Sequence, residues 1–332
     1  MAEPAASDEM TAETGRQPRP ALPRGPIRID LAPAERTPAP HAPALACKIC
    51  GNAELESIGA KLGRLRPDRF EFVRCGDCGF VFVANPWREY EHIYSEDYYH
   101  GRGADPLVDY IYELDRPDKT ARAYEWQGIV EAVRQCVPLS SQTRWLDFGC
   151  GNGGLVRHVR GTVGCAIWGY EHGWIRELAS QRGIPFLSDE AFEQASGTFD
   201  VVTAIEVVEH LSDPVAELKR IRSLLRPGGL LFLTTGNAEP QRRRFLKWPY
   251  TVPEIHVSYF EPRTLAKALK QAGFRSEFRP MPQAFEGIIR FKILKNLGVR
   301  NAAVWEKMLP WRLLTRWADR KFGVSAHPIA WA

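Results

Sequence analysis

The chain has 332 residues, of which 44% are hydrophobic and 25% charged, the balance of an ordinary soluble globular protein. It has no run of 18 apolar residues, and its first residues lack the basic and apolar regions of a secretory signal, so we expect neither a membrane-spanning helix nor secretion. A formal net charge of +4 is too small to make nucleic acid the default partner. The odd number of cysteines, seven, argues against a complete disulfide framework, and we predict a cytoplasmic protein.

Changes in composition divide the chain into five segments. Residues 1–44 hold nine prolines and almost no aromatic or β-branched residues, so they bury too little apolar surface to fold, and we predict disorder. Residues 45–86 contain four of the cysteines, and residues 87–125, rich in tyrosine and charge, are interpreted as a helical connector or cap. Residues 126–285 alternate apolar runs with amphipathic segments, which is typical of parallel strands joined by helices. Residues 286–332 form a basic tail.

The cysteines of the second segment form two C-x-x-C pairs. Cys47 and Cys50 are separated from Cys75 and Cys78 by 24 residues, a spacing that brings four thiolates to one tetrahedral zinc ion. Four protein ligands leave no open coordination position, so we predict a structural zinc. The apolar sequences on both sides of the second pair indicate two short strands, hence a zinc ribbon. A module of this size needs its metal to fold.

The central segment begins with a short apolar strand at 143–149 that ends in a glycine-rich turn. A second strand, 166–171, ends in an acid, and the fully apolar run that opens 199–210 is typical of a central parallel strand. Asp213 is suited to be the N-cap of the next helix, and the proline that follows it is suited to the first helical position. The helix that follows is expected to end at a Pro-Gly-Gly turn, which leads into the strand 230–235.

The turn LDFGCGNGG contains the residues best suited to bind a ligand. Gly149, Gly151 and Gly153 let the backbone approach a ligand closely and adopt positive φ angles, but their spacing is not that of a phosphate-binding loop. Asp147 ends the strand before the glycines, where it can pair with an ammonium group. Glu171 ends the next strand, where it can accept both hydroxyls of a ribose. The two acids together suit a cationic nucleoside ligand.

These motifs resemble those of the class I S-adenosylmethionine-dependent methyltransferases, in particular the small-molecule branch that includes the ubiquinone-biosynthesis O-methyltransferases. The resemblance covers roughly residues 120–285 and rests on LDFGCGNG, GYE, FDVVTAIEVVEHL and LLRPGGLLFLTT, in that order. It implies an α/β fold, a Rossmann-like, mostly parallel seven-stranded sheet with helices on both faces, next to the small N-terminal zinc ribbon. It also implies S-adenosylmethionine as the cofactor.

The resemblance also assigns cofactor-binding residues by position. The residues around the methionine part of the cofactor and its ribose would be Asp147, Gly149, Gly151, Gly153 and Glu171. Asp189, after the third expected strand, would lie near the adenine amino group. Ile205 and Glu206 would flank the cofactor below the site.

Two histidines are candidates for the catalytic base. His210 follows the strand that carries the site, and its ordinary pKa near 6.5 suits general base catalysis at neutral pH. The equally weighted alternative is a histidine that orders the loop through a backbone hydrogen bond. His256, in the late segment HVSYFEPRTLAKALKQAGF that also resembles this branch, is the second candidate. Glu209 is expected to face solvent or the cap.

The segment YSEDYYHG directly after the cysteine module is unusually rich in tyrosine. Some zinc-containing sugar C-methyltransferases have a similar stretch after their cysteines, where it contributes to the substrate pocket. The resemblance makes Tyr98, Tyr99 and His100 candidates for the pocket, with Tyr98 and Tyr99 as candidate catalytic residues. The alternative is a packed aromatic connector, which we favour slightly for each residue taken singly.

The tail, residues 286–332, carries nine lysines and arginines against three acids, together with four tryptophans. Part of it is amphipathic, so we predict C-terminal helices. We prefer helices packed over the active site. The alternative is peripheral contact with an anionic membrane surface, which would imply a lipid-linked or quinone-like acceptor.

Four functions remain open at this point. The first is O-methylation of a small-molecule, glycan or lipid-linked acceptor, with His210 or His256 taking the proton. The second is C-methylation of a sugar, suggested by the zinc module and the tyrosines. The third is methylation of RNA held by the ribbon, against which stand the modest charge and the absence of an N-P-P-Y-like motif. The fourth is a non-enzymatic zinc-ribbon adaptor with a vestigial cofactor fold.

Overall fold

The structure is a computed structural model, and it describes residues 45–87, 93–104, 109–281, 283–296, 308–322 and 326–332. The predicted disorder of residues 1–44 lies outside the described residues. The strands are β1 (Leu55–Leu62), β2 (Arg69–Cys75), β3 (Val81–Val83), β4 (Arg144–Phe148), β5 (Ala166–Tyr170), β6 (Phe199–Ile205), β7 (Leu225–Thr234), β8 (Ser258–Tyr259), β9 (Arg275–Pro280) and β10 (Ala326–Trp331).

Ten α-helices accompany these strands among the described residues. They are α1 (Glu96–Tyr99), α2 (Tyr110–Asp115), α3 (Arg122–Arg134), α4 (Gly154–Thr162), α5 (Trp174–Gln181), α6 (Asp189–Glu193), α7 (Pro214–Leu224), α8 (Pro262–Gln271), α9 (Glu286–Asn296) and α10 (Trp311–Phe322). Three 3₁₀ helices span Pro117–Lys119, Val208–His210 and Glu239–Lys247. None of the described helices combines the length and hydropathy that crossing a membrane would require.

The central sheet has the strand order β5-β4-β6-β7-β10-β9. Its first four strands are parallel, and β10 runs antiparallel to both β7 and β9. Buried residues alternate between the two faces of β4: Leu146 packs against α7 and α8, whereas Trp145 packs against α3 and α4. The sheet is therefore mostly parallel with helices on both faces, as the sequence predicts.

The strand count differs from the expected seven, because the described residues of this sheet form six strands. At the edge next to β5, the chain contributes only an isolated parallel bridge between Gly169 and Phe186. The tail also departs from the expectation of helices alone, because its last described residues form β10. That strand is inserted between β7 and β9, where Ile329 and Ala330 are fully buried.

The expected helix after the third apolar strand forms as its capping residues indicate. Asp213 accepts a hydrogen bond from the amide of Ala216 at 3.0 Å, and Pro214 occupies the first helical position, where no amide hydrogen is needed. The buried face of α7 consists of Leu218, Ile221 and Leu224. This packing fixes the loop between β6 and α7, which contains the histidine of the EVVEH motif.

The cysteine-containing segment forms a second, antiparallel sheet with the order β1-β2-β3-β8. Its fourth strand, β8, comes from the central segment: Val81 pairs with Tyr259 and Phe82 with Ser258. The N-terminal module and the central domain therefore share a sheet, and residues 44–332 form one compact unit.

Candidate active site

A cavity of about 1200 Å³ opens at the carboxyl ends of β4, β5 and β6. In parallel α/β sheets, ligands bind at this edge. One group of lining residues belongs to the central domain: Asp147, Gly149, Cys150, Gly151, Asn152, Glu171, Ile205 and Glu206. A second group comes from the cap, the turn after β6 and the late loop: Tyr94, Tyr98, Tyr99, Tyr110, His210, Trp248, Tyr250 and His256. The cavity exceeds the ~300–1,000 Å³ of a typical single-ligand site, so it has room for a cofactor and an acceptor together.

The glycine-rich turn adopts the conformation that its sequence predicts. Gly149, Gly151 and Gly153 have φ angles of 67°, 52° and 70°. A Cβ atom on Gly149 would lie 2.6 Å from the side chain of Val207, so a side chain at this position would also collide with the neighbouring loop. Gly153 does not line the cavity. It precedes α4 and packs against Ile184, which means that it shapes the turn from behind.

Asp147 lies at the base of the cavity and is only 3% exposed. Its Oδ1 accepts a hydrogen bond of 2.7 Å from the hydroxyl of Thr203. Burial, reinforced by the nearby charge of Glu171, raises the pKa of the Asp147 carboxyl to about 7. A cationic ligand group would compensate this buried charge, so the site fits an ammonium or sulfonium compound.

Glu171 ends β5 at the side of the glycine turn. Its Oε2 accepts from the amide of Gly151 and its Oε1 from the amide of His172, both at 2.9 Å. These bonds hold the carboxylate in one orientation and leave lone pairs on both oxygens for ribose hydroxyls. Asp189, in contrast, does not line the cavity. Its carboxylate is 62% exposed and lies 3.7 Å from the guanidinium of Arg176.

Two acids and a tyrosine form a hydrogen-bonded network where β6 ends. Glu206 has a φ of 54°, the left-handed region that side chains rarely adopt, and this turns its carboxylate towards the loop after β7. The hydroxyl of Tyr250 lies 2.8 Å from Glu206 Oε2 and 2.5 Å from Glu209 Oε1, and it accepts from the amide of Gly236. A phenol has one hydrogen and cannot donate to both acids, so one of the two carboxyls must carry a proton.

The pKa shifts agree with that hydrogen count. Burial and, to a smaller extent, the charge of Glu209 raise the pKa of Glu206 to about 8. Burial also raises the pKa of Glu209. The expectation that Glu209 faces solvent or the cap is wrong. Its side chain is fully buried, accepts a 2.8 Å bond from the hydroxyl of Thr235 and contacts Tyr250, which is outside the cap. Glu206, which the resemblance assigns to the cofactor, lines the cavity.

His210 lies in the 3₁₀ turn after β6 and lines the cavity. Its Nδ1 is 2.8 Å from the carbonyl oxygen of Ile255 and 2.9 Å from the hydroxyl of Tyr94. Because a carbonyl oxygen only accepts, Nδ1 carries the hydrogen and Nε2 keeps its lone pair. Burial lowers the pKa of His210, while the carboxylates of Glu206 and Glu171 act in the opposite direction. A neutral imidazole with acids nearby can accept a proton.

His256 lies against His210, with ring centroids 4.9 Å apart. Its Nδ1 is 2.6 Å from the carbonyl oxygen of Tyr250, so its Nε2 also has a free lone pair. Burial and, to a smaller extent, the neighbouring His210 lower the pKa of His256 to about 3. Together with Glu209, the two histidines place three metal-ligand atoms within 4.8 Å of one another, a nitrogen and oxygen donor set that would also suit a divalent cation.

The tyrosine-rich segment forms part of the cavity wall. Tyr98 and Tyr99 are 4% and 5% exposed and pack on each other and on Tyr110. Burial raises the pKa of both phenols far above neutrality, so neither is a phenolate. Both residues line the cavity. His100 contacts Trp174 but does not itself line the cavity.

The cap and the glycine turn are connected by Asn152, which sequence reasoning missed. Its side-chain amide donates to the carbonyl of Tyr110 at 2.7 Å, and its oxygen accepts from the amide of Gly154. Tyr94 and Tyr250 were also missed as site residues. Tyr94 stands in the quoted aromatic stretch, which is a signal that could have singled it out. Tyr250 follows a Trp-Pro pair with no recognisable pattern.

The four cysteines of the ribbon converge as their spacing predicts. Cys47 and Cys78 have sulfurs 3.5 Å apart, those of Cys50 and Cys75 are 3.4 Å apart, and all four lie within 4.8 Å of one another. Tetrahedral zinc with bonds of about 2.3 Å places its sulfurs roughly 3.8 Å apart, so the cluster fits the ion. All four are free thiols. In each C-x-x-C pair, the backbone amide nitrogen of the second cysteine lies 3.5 Å from the Sγ of the first, as in a zinc knuckle.

The fold and cavity together define a Rossmann-like α/β domain with a cavity whose two acids suit a cationic nucleoside. Residues 118–277 match a protein-family model described as "Methyltransferase domain". The match covers a little under half of the chain, and it identifies this segment as a methyltransferase domain, for which S-adenosylmethionine is the cofactor.

Curated relatives match over the same region. The chain is 38% identical over 110 residues to a ubiquinone biosynthesis O-methyltransferase of Parvibaculum lavamentivorans, covering 28% of this chain and 40% of the relative. It is 35% identical over 146 residues to the enzyme of that name from Xanthomonas campestris pv. campestris, covering 40% of this chain and 59% of the relative. The chain thus spans roughly half the length of these relatives.

Solved structures match at lower identity. A complex of the Haloferax volcanii Trm112 methyltransferase activator with a putative methyltransferase matches at 19% identity and a TM-score of 0.46, covering 67% of this chain and 96% of that one. Phosphoethanolamine N-methyltransferase 2 of Haemonchus contortus, in complex with S-adenosyl-L-methionine, matches at 16% identity and a TM-score of 0.40, covering 68% and 60%.

Proposed function

We propose that this chain is a methyltransferase that transfers the methyl group of S-adenosylmethionine to an oxygen of a small, ring-bearing acceptor, free or carried on a glycan or lipid. One observation carries the proposal: a single cavity joins the cofactor residues Asp147 and Glu171 to a second chamber lined by aromatic rings and two histidines. Methyl transfer needs an in-line nucleophile held close to the sulfonium with water excluded. A shared cavity of this size supports that arrangement.

The acceptor side of the cavity favours a ring. Tyr94, Tyr98, Trp248 and Tyr250 present aromatic surfaces there, and aromatic faces pack well on the flat surfaces of sugars and aromatic rings. Trp248 and Tyr250 stack with centroids 4.8 Å apart, which makes this wall rigid. The lining supports a cyclic acceptor more than a linear one.

S-adenosylmethionine, when bound, supplies an electrophilic methyl group at its sulfonium. The protein must then remove the proton of the acceptor hydroxyl, and we assign this step to Nε2 of His210. Burial keeps this imidazole neutral before the reaction. The nearby carboxylate of Glu171 stabilises the imidazolium that forms. His256, whose pKa burial and the adjacent His210 lower to about 3, serves in this proposal to hold the Tyr250 loop and to shape the wall.

A second candidate function, C-methylation of a sugar, is favoured by the Tyr-rich segment. Tyr94 touches His210 directly and Tyr98 lines the same cavity, which is the placement that this alternative requires. In that reaction the same base would remove a C–H proton next to a carbonyl group. The two reactions differ in the atom that receives the methyl group, so the product distinguishes them.

The test is transfer of isotope-labelled methyl groups to a panel of phenols, sugars, nucleotide sugars, lipid-linked acceptors and RNA transcripts, with and without added Mg²⁺. NMR of the product assigns the methyl group to oxygen or carbon. We expect His210→Gln to lower kcat by about 10²–10⁴-fold while S-adenosylmethionine still binds. His158→Gln, outside the cavity, is the matched control. Absence of S-adenosylmethionine binding by the folded, zinc-loaded protein would favour the adaptor alternative. Equal kcat values for His210→Gln and the wild type would refute His210 as the base.

A further inference from the structure

Helix α10, in the tail beyond the methyltransferase domain, has three distinct faces. Trp311, Thr315 and Ala318 are buried against the rest of the fold. Because successive residues are 100° apart on a helix, Arg312 and Arg316 form a basic row beside this buried face. Both arginines are exposed.

The third face of α10 is apolar and exposed. Leu313 and Trp317 follow the arginine row around the helix and are 64% and 52% exposed. Met308, just before the helix, is 70% exposed. Such large apolar side chains are seldom left in water together next to a row of positive charge, and this combination is typical of helices that lie in a membrane interface.

A small cavity of about 380 Å³ lies where α10 meets α9. Its lining residues are Gln283, Glu286, Arg312, Thr315 and Arg316. Glu286 is neutralised by Arg290, 2.5 Å away, and that guanidinium in turn packs over the ring of Trp311. Within the part of the chain that the structure describes, neither Arg312 nor Arg316 forms an ion pair. The cavity is therefore positive.

Thr315 provides an independent sign of a ligand. It is 4% exposed, and its hydroxyl has no hydrogen-bond partner among the described residues. Leaving a buried hydroxyl unpaired costs about 1–3 kcal/mol, so a partner is expected. The cavity that Thr315 lines could hold an oxygen atom for this hydroxyl, and the two arginines beside it select an anion.

We propose that this cavity binds the phosphate group of an anionic phospholipid, with Leu313 and Trp317 entering the membrane interface beside it. Arginine guanidinium groups and a hydroxyl donor match phosphate oxygens. Tryptophan and leucine partition into the headgroup and acyl boundary. The exposed apolar row on the same helix commits the proposal to a lipid headgroup instead of a free phosphate. The site does not depend on the proposed methyl transfer, although it would suit a lipid-linked acceptor.

The test is flotation of the full chain with phosphatidylcholine vesicles, with and without phosphatidylglycerol. We expect binding only with the anionic lipid. The double variant Arg312→Ala/Arg316→Ala should weaken vesicle binding about thirtyfold, since each basic residue near such a surface contributes ~1 kcal/mol. Arg243→Ala/Arg244→Ala removes the same charge from another exposed site and should weaken binding much less. Equal loss in the two variants would overturn the site, because net charge alone would explain it.

Two further variants separate the parts of the site. Leu313→Ser/Trp317→Ser should abolish flotation while the arginine row is intact. Thr315→Val keeps the shape of the side chain and should lower the preference for phosphatidylglycerol over oleate-containing vesicles of equal charge. Binding of inorganic phosphate detected by ³¹P NMR without any vesicle binding would overturn the lipid proposal. Calorimetric binding of S-adenosylmethionine, unchanged in every variant, shows that the fold is intact and distinguishes a failure here from a failure of the proposed function.

Discussion

At the scale of single residues, Asp147 gives the sharpest prediction. Its buried carboxyl has a pKa of about 7, so a cationic cofactor must bind the deprotonated form. The affinity for S-adenosylmethionine should therefore increase about tenfold for each unit by which the pH is raised towards 7, because one proton leaves on binding. Above pH 7 the affinity should stay constant. Asp147→Asn should weaken binding at pH 8 by about thirtyfold or more, as expected for losing one partner of a buried charge pair. Isothermal titration calorimetry measures both.

Asp189→Asn is the control for that experiment. This carboxylate is exposed and paired with Arg176, and it does not line the cavity, so we expect no more than a twofold change, roughly the size of a surface substitution. A loss as large as that of Asp147→Asn would mean that the start of α6, which carries Asp189, moves onto the adenine when the cofactor binds.

The pair of Glu206 and Glu209 predicts how stability depends on pH. The pKa of Glu206 is raised from 4.5 to about 8, so the native state keeps a proton that the unfolded chain releases. The free energy of unfolding then falls as pH rises between these two values. Glu206→Gln is neutral at every pH and should melt higher than the wild type at pH 9 but close to it at pH 4. Glu193→Gln, an exposed acid on α6, should follow the wild-type curve. Parallel melting curves for Glu206→Gln and the wild type would contradict a shared proton.

The sequence predicts the residues of this site unevenly, for a physical reason. The three glycines, Asp147 and Glu171 are predictable because each stands at the end of a strand or in a tight turn whose conformation restricts the residue type. Tyr250 is not predictable, because it reaches Glu206 across 44 residues and through side-chain contacts alone. Glu209 is misassigned because the positive φ of Glu206 turns the chain after β6, where Glu209 contacts Thr235 and Tyr250.

At the scale of secondary-structure elements, the long parallel strands and the capped helix α7 are predictable, since their apolar runs and capping residues are local signals. The edges of the central sheet are not. Phe186 contributes only one bridge where a strand is expected, and β10 forms from a short sequence containing Pro328. A proline-containing run of this length has weak strand propensity by itself. Its pairing with β7 and β9, which only the tertiary fold supplies, determines its conformation.

The position of β10 between two strands gives a prediction for stability. Ile329 is fully buried and pairs with Phe232 on one side and Glu277 on the other. Ile329→Ala should lower the free energy of unfolding by about 2–5 kcal/mol, because it deletes apolar contacts and leaves a cavity. Urea denaturation measures this change. Leu62→Ala, at a leucine that is 64% exposed, should cost less than about 0.5 kcal/mol. A similarly small cost for Ile329→Ala would show that β10 does not complete the sheet in solution.

At the scale of the whole molecule, the zinc ribbon and the methyltransferase domain are not independent modules. Phe80 of the ribbon packs on Phe260 with ring centroids 5.1 Å apart. Buried Glu254, from the loop before β8, accepts hydrogen bonds from the backbone amides of Arg64 and Leu65 in the β1–β2 turn. The sequence indicates the ribbon through its cysteines, but these contacts join residues about 190 positions apart, which no local pattern reveals.

This shared structure predicts that the metal supports the active site at a distance. The Cys75→Ser variant should lose zinc, which would loosen β3. Because β3 pairs with β8, the loss would also free His256, which lies two residues before the start of β8. We expect faster hydrogen exchange at residues 256–260 and a marked loss of methyl transfer. Binding of S-adenosylmethionine should be less affected, because Asp147 and Glu171 are held by β4 and β5.

Cys136→Ser is the matched control, because this thiol is half-buried and lies outside the cysteine cluster. It should retain zinc, hydrogen-exchange protection and activity. Zinc content, exchange rates and methyl transfer measured on the same preparations separate the possible causes. If the Cys75 variant lost its zinc and kept wild-type protection at 256–260, the ribbon would be stabilised by its apolar contacts with the domain. The metal would then have no mechanical connection to the two histidines of the cavity, and any loss of activity would have to arise elsewhere.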